Sequence, residues 1–252
     1  MIRLVLFITT LALSMICEAQ VSENRTVSDF TAIHSSTGVN VYYTQSQTKS
    51  VRVESDNQEK LKRIKTEVSG GKLKISVKPT KGRWGEDDTF KTLKVYVSAP
   101  DVKVFKADSG SKITLENGVI SDSKIDIEVS SGSHISGNLT AKQIEIEVSS
   151  GSIFKGDVKT NSLNVEINSG SNVALSGTAD NLELEVSSAS NFTGKDFTVK
   201  TADIEANTAS NVTLSVTEKI KASADSLAKI NYYGNPKKAD KKSSSLGEVN
   251  EK

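Results

Sequence analysis

Acidic and apolar residues alternate along five short stretches of the sequence, which places carboxylates on one side of each stretch. Carboxylate oxygens are the ligands that Ca²⁺ prefers, and a surface of them also attracts basic partners. No calcium-binding loop accompanies the stretches, so we expect a face screened by salt and by lysines such as Lys142 and Lys159 rather than bound Ca²⁺. This predicted binding face, the acidic face, consists of Asp126, Glu128, Glu145, Glu147, Glu166, Glu183, Glu185, Asp203 and Glu205.

Serine and histidine could supply nucleophilic chemistry, but their arrangement does not favour it. Seven copies of a Ser-Gly-Ser-like core lack the Gly-x-Ser-x-Gly elbow, and His34 and His134 are the only histidines available to activate a serine. One cysteine and two histidines are also too few for a structural zinc site. We therefore expect no catalytic residue, no metal centre and no cofactor.

A carbohydrate-active enzyme, either a lyase or a hydrolase, is the alternative, because such enzymes also use β-helical scaffolds. A lyase of that type needs a basic catalytic residue near calcium, and no arginine follows Arg83. A glycosidase needs two convergent carboxylates, and columns of equivalent acids do not single out a pair. A non-enzymatic protein is the preferred interpretation.

Aromatic residues could stack on sugars. We expect Trp84, which lies in a charged segment, to be the exposed aromatic contact. Tyr42, Tyr96 and one of the pair Tyr232 and Tyr233 are expected to pack inside the protein instead.

A short polar motif recurs through the second half of the chain, and its regularity indicates an internal repeat. Glycine allows a tight bend with positive φ at its centre, whereas alanine at two copies indicates that positive φ is not strictly required. The central residues of these predicted corners are spaced 22, 19, 19, 19, 20 and 16 apart and are Gly110, Gly132, Gly151, Gly170, Ala189, Ala209 and Asp225.

Strand-like runs with a period of two precede most corners, as in Ile144, Ile146 and Val148. A unit of about 19 residues cannot cover its own apolar face, so the units must stack on one another. The sequence therefore predicts an all-β fold, a parallel right-handed β-helix or solenoid of about seven coils. An antiparallel β-sandwich is the alternative, because it also has closely spaced turns.

The chain divides into four predicted segments. Residues 1–19 are typical of a secretory signal peptide cleaved after Ala19; lipidation at Cys17 is less favoured, because Ile16 stands where a small residue is needed. Residues 20–106 form a β-rich region that caps the solenoid, with one short helix near residues 58–65. Residues 107–236 form the repeat solenoid, and residues 237–252 a disordered polar tail. No transmembrane segment is expected after processing.

Charge is balanced overall but unevenly distributed. The formal net charge of +1, from 32 Lys and Arg against 31 Asp and Glu, argues against nucleic-acid binding through overall charge. Residues 20–107 carry +6, residues 108–205 carry −8 and residues 206–252 carry +3. Opposite charges on one molecule could support a homo-oligomer.

Several segments together are similar to one known family: Phe30-Thr31-Ala32-Ile33, Gly38-Val39-Asn40-Val41, Gly71-Lys72-Leu73-Lys74-Ile75, the Ser-Gly-Ser series and Tyr232-Tyr233-Gly234-Asn235-Pro236. Over roughly residues 28–236 the sequence resembles the head GIN domain family of putative auto-transporter adhesins, exported β-proteins common in Bacteroidetes. The resemblance implies a β-helix-like fold and a cell-envelope location, either periplasmic, on the outer membrane surface or extracellular. It supplies no catalytic residues. We expect an adhesin or structural binding module whose charged face contacts an envelope protein or polysaccharide.

Overall fold

Residues 20–80, 85 and 89–252 are described in the computed structural model, and they form seventeen strands and one short helix. The predicted signal peptide, with Cys17, and the predicted aromatic contact Trp84 lie outside the described residues. The elements are β1 (Val21–Asn24), β2 (Ala32–Ser35), β3 (Asn40–Gln45), β4 (Ser50–Ser55), α1 (Gln58–Arg63), β5 (Ile64–Ser69), β6 (Lys72–Val77), β7 (Leu93–Ala99), β8 (Val104–Ala107), β9 (Lys112–Val129), β10 (His134–Val148), β11 (Ile153–Ile167), β12 (Asn172–Val186), β13 (Asn191–Ala206), β14 (Asn211–Ala224), β15 (Lys229–Tyr233), β16 (Lys238–Ser243) and β17 (Glu248–Glu251).

The strands from β9 to β14 stack in parallel, one coil above the next. Ile144 on β10 pairs with Leu163 on β11, which pairs with Leu182 on β12, and all three side chains are buried. Equivalent apolar residues therefore form columns that fill the interior, as the period of two requires. The predicted parallel solenoid is confirmed with about eight turns, close to the predicted seven. The antiparallel sandwich is wrong, because the antiparallel pairs in the described chain are confined to β1–β4, β4–β7 and β5–β6.

The N-terminal strands belong to the same stack. β2 and β3 form a coil whose neighbours are β8 and the start of β9, and the predicted boundary between residues 106 and 107 falls within β8. Tyr43 packs edge-on against Phe105 inside this coil. Tyr42 and Tyr96, predicted to be internal, instead stack on each other at 5.1 Å on the outer side of their strands, half-buried.

The elements from β4 to β7 come between β3 and β8 in the chain and cover the N-terminal end of the stack, where β6 pairs with β2 and β7 with β3. The predicted helix is confirmed as α1, whose Asn57 side chain accepts a hydrogen bond from the backbone N–H of Lys60 and caps it. Leu61 and Ile64 beside it are fully buried. The predicted hairpin turn at Gly70 and Gly71 joins β5 to β6.

Nine stacked corners join the two sides of successive coils. In each, two consecutive residues have positive φ. In all but the last of these described corners, the second residue donates its N–H to the carbonyl of the first residue of the next corner, as Gly132 does to Ser150 at 3.0 Å. The inference from alanine that these corners do not strictly require positive φ is wrong, because Ala189 has φ 60° and Ala209 has φ 58°. The nine pairs are Thr37–Gly38, Ser109–Gly110, Ser131–Gly132, Ser150–Gly151, Ser169–Gly170, Ser188–Ala189, Thr208–Ala209, Ser226–Leu227 and Ser245–Leu246.

The substitution Ala189→Gly is expected to raise the free energy of unfolding by about 1 kcal/mol, because glycine reaches this left-handed backbone without a steric cost at Cβ. Chemical denaturation of the purified protein measures the change. Ala239→Gly is the control: Ala239 is an exposed residue within β16, where glycine should cost about 0.5 kcal/mol. A loss of stability in both variants would contradict the strain assigned to Ala189.

A buried serine follows most corners. Ser133, Ser152, Ser171 and Ser190 are at most 1% exposed, and the N–H of each of the first three donates to the hydroxyl of the next serine at 3.2 to 3.3 Å. Small polar side chains therefore satisfy buried backbone groups where the chain turns.

The tail that was expected to be disordered forms one more layer. β16 pairs in parallel with β14 and β17 with β15. The polar composition of the tail predicted disorder wrongly, because main-chain hydrogen bonds, rather than buried apolar side chains, hold the tail to the edge of the last coil. Two positions in register with the core columns carry Lys241 and Glu251, which form an ion pair at 3.4 Å, and the Tyr232 hydroxyl donates to Glu251 at 2.8 Å.

Candidate functional site

The nine predicted residues of the acidic face come together on one side of the solenoid. The first column pairs Asp126 with Glu145, continues through Asn164 and ends with Glu183 and Asp203. The second column is one pleat away and consists of Glu128, Glu147, Glu166, Glu185 and Glu205. Neighbouring members lie one strand spacing, about 4.8 Å, apart, so each column spans about 19 Å.

Lysines neutralise the two ends of the acidic face. Lys106 bonds Glu128 at 2.5 Å, and Lys124 lies 2.7 Å from Asp126 and also bonds Glu145. At the other end Lys221 pairs with Asp203 at 2.8 Å. Lys142 and Lys159, which were expected to relieve the repulsion, lie at a different bend of the coil and pair with none of these acids.

The middle of the face, together with Glu205 at the end of the second column, has no lysine partner among the described residues. In the described chain, Glu147, Glu183, Glu185 and Glu205 form no ion pair, and Glu166 accepts a hydrogen bond from the Asn168 side chain at 3.1 Å. Partial burial raises the pKa of Glu147, and the neighbouring Glu128, Glu145 and Glu166 raise it further. Repulsion between adjacent rungs is therefore present in the free protein.

Because the pKa of Glu147 is higher in the folded chain than in the unfolded one, charging this group costs stability. That cost is absent below the ordinary glutamate pKa of about 4.3 and fully present above the raised value. Glu147→Gln is therefore expected to stabilise the protein by a few tenths of a kcal/mol at pH 7 and to have no effect near pH 3. Urea denaturation at both pH values measures this, and Glu67→Gln on β5 is the control with the same charge change. A pH-independent effect of Glu147→Gln would contradict the repulsion.

The two histidines lie apart from each other. His34 bonds Asp108 at 2.5 Å at the start of the column that leads through Lys106 to the acidic face. His134 lies on the far side of the corner, where burial and then Lys112 and Lys155 lower its pKa. The structure therefore does not bring the histidines and the acidic face into one constellation.

Within residues 20–80, 85 and 89–252, no group of three or more His, Cys, Asp or Glu side chains is placed to hold a metal ion. A cleft of about 190 Å³ on the acidic face is lined by Lys124, Glu128 and Glu147 among others, so a lysine already contributes to its wall. Lys106, Lys124 and Lys221 were missed at the sequence level; a 19-residue alignment of the coils would have placed Lys221 in the first column.

A family model described as "putative auto-transporter adhesin, head GIN domain" matches residues 29–236. A solved structure of a putative adhesin from Parabacteroides merdae has a TM-score of 0.83 and 18% identity, covering 92% of this chain and 96% of that one. A putative lipid binding protein from Parabacteroides distasonis has a TM-score of 0.81 and 17% identity over the same shares of the chains. A putative adhesin from Bacteroides fragilis has a TM-score of 0.65 and 20% identity over 93% and 97%. At these identities the likeness shows a shared fold.

The curated proteins contain no match to this sequence. Among the described residues, no helix has the length and apolar character to cross a membrane.

Proposed function

The chain belongs to the family described as "putative auto-transporter adhesin, head GIN domain", and from this premise we propose that it is an exported, non-enzymatic envelope protein that binds a cationic partner through its acidic face. The single observation that carries the proposal is the row of carboxylates without ion pairs that runs from Glu147 in the middle of that face through Glu185 to Glu205 at its end.

Charge complementarity supports this choice of partner. A flat sheet face that keeps adjacent like charges loses stability in the free protein and regains it when positive groups bind over the columns. Glu166 and Glu185 repeat at the strand spacing, so a partner with several Lys or Arg side chains, or amino groups on a polysaccharide, can engage more than one rung at once. Such contacts weaken as salt rises.

The binding test uses hexalysine as a defined cationic probe. Glu147→Gln together with Glu166→Gln is expected to weaken binding about tenfold at low salt, because two charged contacts are lost. The control changes two exposed acids elsewhere, Glu67→Gln and Glu218→Gln, and should leave affinity nearly unchanged. Isothermal titration at two salt concentrations gives the comparison, and equal loss in both double variants would sink the proposal.

The enzyme alternative is tested on the same samples. Purified protein incubated with polygalacturonate is expected to leave its chain length unchanged by size-exclusion chromatography. Depolymerisation that disappears in the double variant of Glu147 and Glu166 would show that the acidic face performs catalysis instead of binding.

The cationic partner could also be a second copy of this chain. The N-terminal 20–107 segment carries +6 and could meet the acidic face of a neighbour. Sedimentation at low and high salt tests this, and a monomer at both would remove self-association from the proposal.

A further inference from the structure

A concave groove runs along the solenoid axis at a bend of the coil, separate from the acidic face. It has a volume of about 600 Å³ and crosses six rungs, from Ile120 on β9 to Thr217 on β14. Five strand spacings give it a length of about 24 Å. We call it the bend groove. Its volume lies within the range of ligand pockets, and its open, elongated shape suits a chain molecule better than a compact one.

Small side chains form the floor of the bend groove. Ala141, Thr160 and Ala179 stack in successive coils and are 5 to 9% exposed. The Thr160 hydroxyl is turned into the bend, 3.1 Å from the carbonyls of Lys142 and Ser162, so it leaves no bulk in the groove. A ligand can therefore lie close to the backbone here.

Hydroxyl groups line one wall, where Thr140, Thr178 and Thr198 stand in a single column with Lys159 between the first two. Ile120 ends this column and is 68% exposed, one of the few large apolar side chains of the described chain that face solvent. Hydroxyls and an aliphatic contact together match the polar edges and apolar faces of a sugar ring.

Positive charge is available across the floor. Lys142 on one wall and Lys159 on the other form no ion pair in the described chain. Further along, Lys200 bonds Asp180 at 2.7 Å, and Asn161 donates to the same carboxylate at 2.8 Å, so that acid is neutralised. Asp122 near Ile120 is the other carboxylate in the groove.

The axial repeat favours a glycan over a peptide. Groups on the walls recur every strand spacing, about 4.8 Å, whereas an extended peptide advances about 3.3 Å per residue and falls out of step with them. One pyranose residue of an extended chain is close to one rung in length. On β10 the first residue of the acidic face is Glu145, three residues after Lys142. Its negative charge repels an anionic chain and so confines that chain to the groove.

We propose that the bend groove binds an anionic linear polysaccharide along the solenoid axis, with carboxylates of the sugar residues held by Lys142 and Lys159. This site is independent of the acidic face, takes a ligand of opposite charge and gives one coil two contact surfaces.

The experiment titrates the full chain with hexagalacturonate, with neutral cellohexaose and with poly-L-glutamate. Lys142→Gln together with Lys159→Gln is expected to weaken hexagalacturonate binding at least tenfold, while Asp122→Asn strengthens it by a few fold. Lys142→Arg with Lys159→Arg keeps the charge and should retain most of the affinity. The matched control is Lys62→Gln with Lys72→Gln near the N-terminal end, which should leave binding unchanged.

Several outcomes would overturn the proposal. The first is that hexagalacturonate does not bind measurably. The second is that cellohexaose binds as tightly as hexagalacturonate. The third is that poly-L-glutamate binds instead of the glycan and that its binding falls equally when Lys142 and Lys159 are substituted. Loss of hexagalacturonate binding in the Glu147 and Glu166 double variant, with the groove variants unaffected, would place the ligand elsewhere. Failure of hexalysine binding leaves this result untouched, so the two proposals are separable.

Discussion

Gly156→Ala is expected to lower the free energy of unfolding by about 3 kcal/mol, because a Cβ at this position would lie 2.1 Å from the backbone oxygen of Gly137 in the preceding coil. Gly137 lies in β10 and pairs with Leu115 on β9, so displacing its carbonyl would disturb that pairing. Backbone therefore packs directly against backbone at the bend of the coil that contains Gly137 and Gly156. Chemical denaturation of purified protein measures the loss.

Gly151→Ala is the matched control for this prediction. Gly151 lies in the corner that precedes β11, has φ of +71°, and an added Cβ would meet nothing within 4 Å. Only the conformational preference of glycine is lost there, which costs about 1 kcal/mol. Equal losses at Gly151 and Gly156 would contradict the steric origin assigned to the bend.

Removal of residues 237–252 is expected to cause self-association with a smaller effect on the unfolding midpoint. The tail buries little apolar surface, so its hydrogen bonds barely offset the entropy of ordering about 16 residues. Without it, the edges of β14 and β15 and the buried Ile230 and Tyr232 form the end of the stack, an open template for pairing with another chain.

Sedimentation equilibrium of the truncated and full-length chains at equal concentration measures this effect. Truncation is expected to raise the weight-average mass. Lys241→Gln in the full-length chain is the control, because it removes one charge of the end layer and leaves the strands in place. Identical masses for the truncated and full-length chains would indicate that the tail does not protect the edge.

The sequence predicted the repeating part of the fold because each 19-residue unit carries the same alternation. Ile144 and Leu163 occupy equal places in their units, and stacking follows from the need to cover apolar surface. The coil formed by β2 and β3 escaped detection because the elements from β4 to β7 separate it in sequence from its neighbour β8. Gly38 and Gly110 are adjacent corners 72 positions apart, and a fixed period cannot show that.

The candidate site was predictable in part for the same reason. Period-two alternation placed Glu147 and Glu166 side by side, since residues in equal register lie above one another. The bend groove was not predictable, because its floor depends on where the coil bends rather than on which residues repeat. The ion pairs could not be predicted from the sequence either, because Lys124 pairs with Glu145 on the neighbouring coil.

Left-handed corners that repeat without interruption make the length of this protein adjustable in whole steps. The strand Ile153–Ile167 pairs 19 positions ahead and 19 behind, so tandem duplication of the 19-residue unit 153–171 would insert a full turn without disturbing its neighbours. Each insertion would lengthen the molecule by about 4.8 Å and add one place to every longitudinal surface. Proteins with this fold could therefore evolve to bind ligands of different length by gaining or losing whole turns, without a change of architecture.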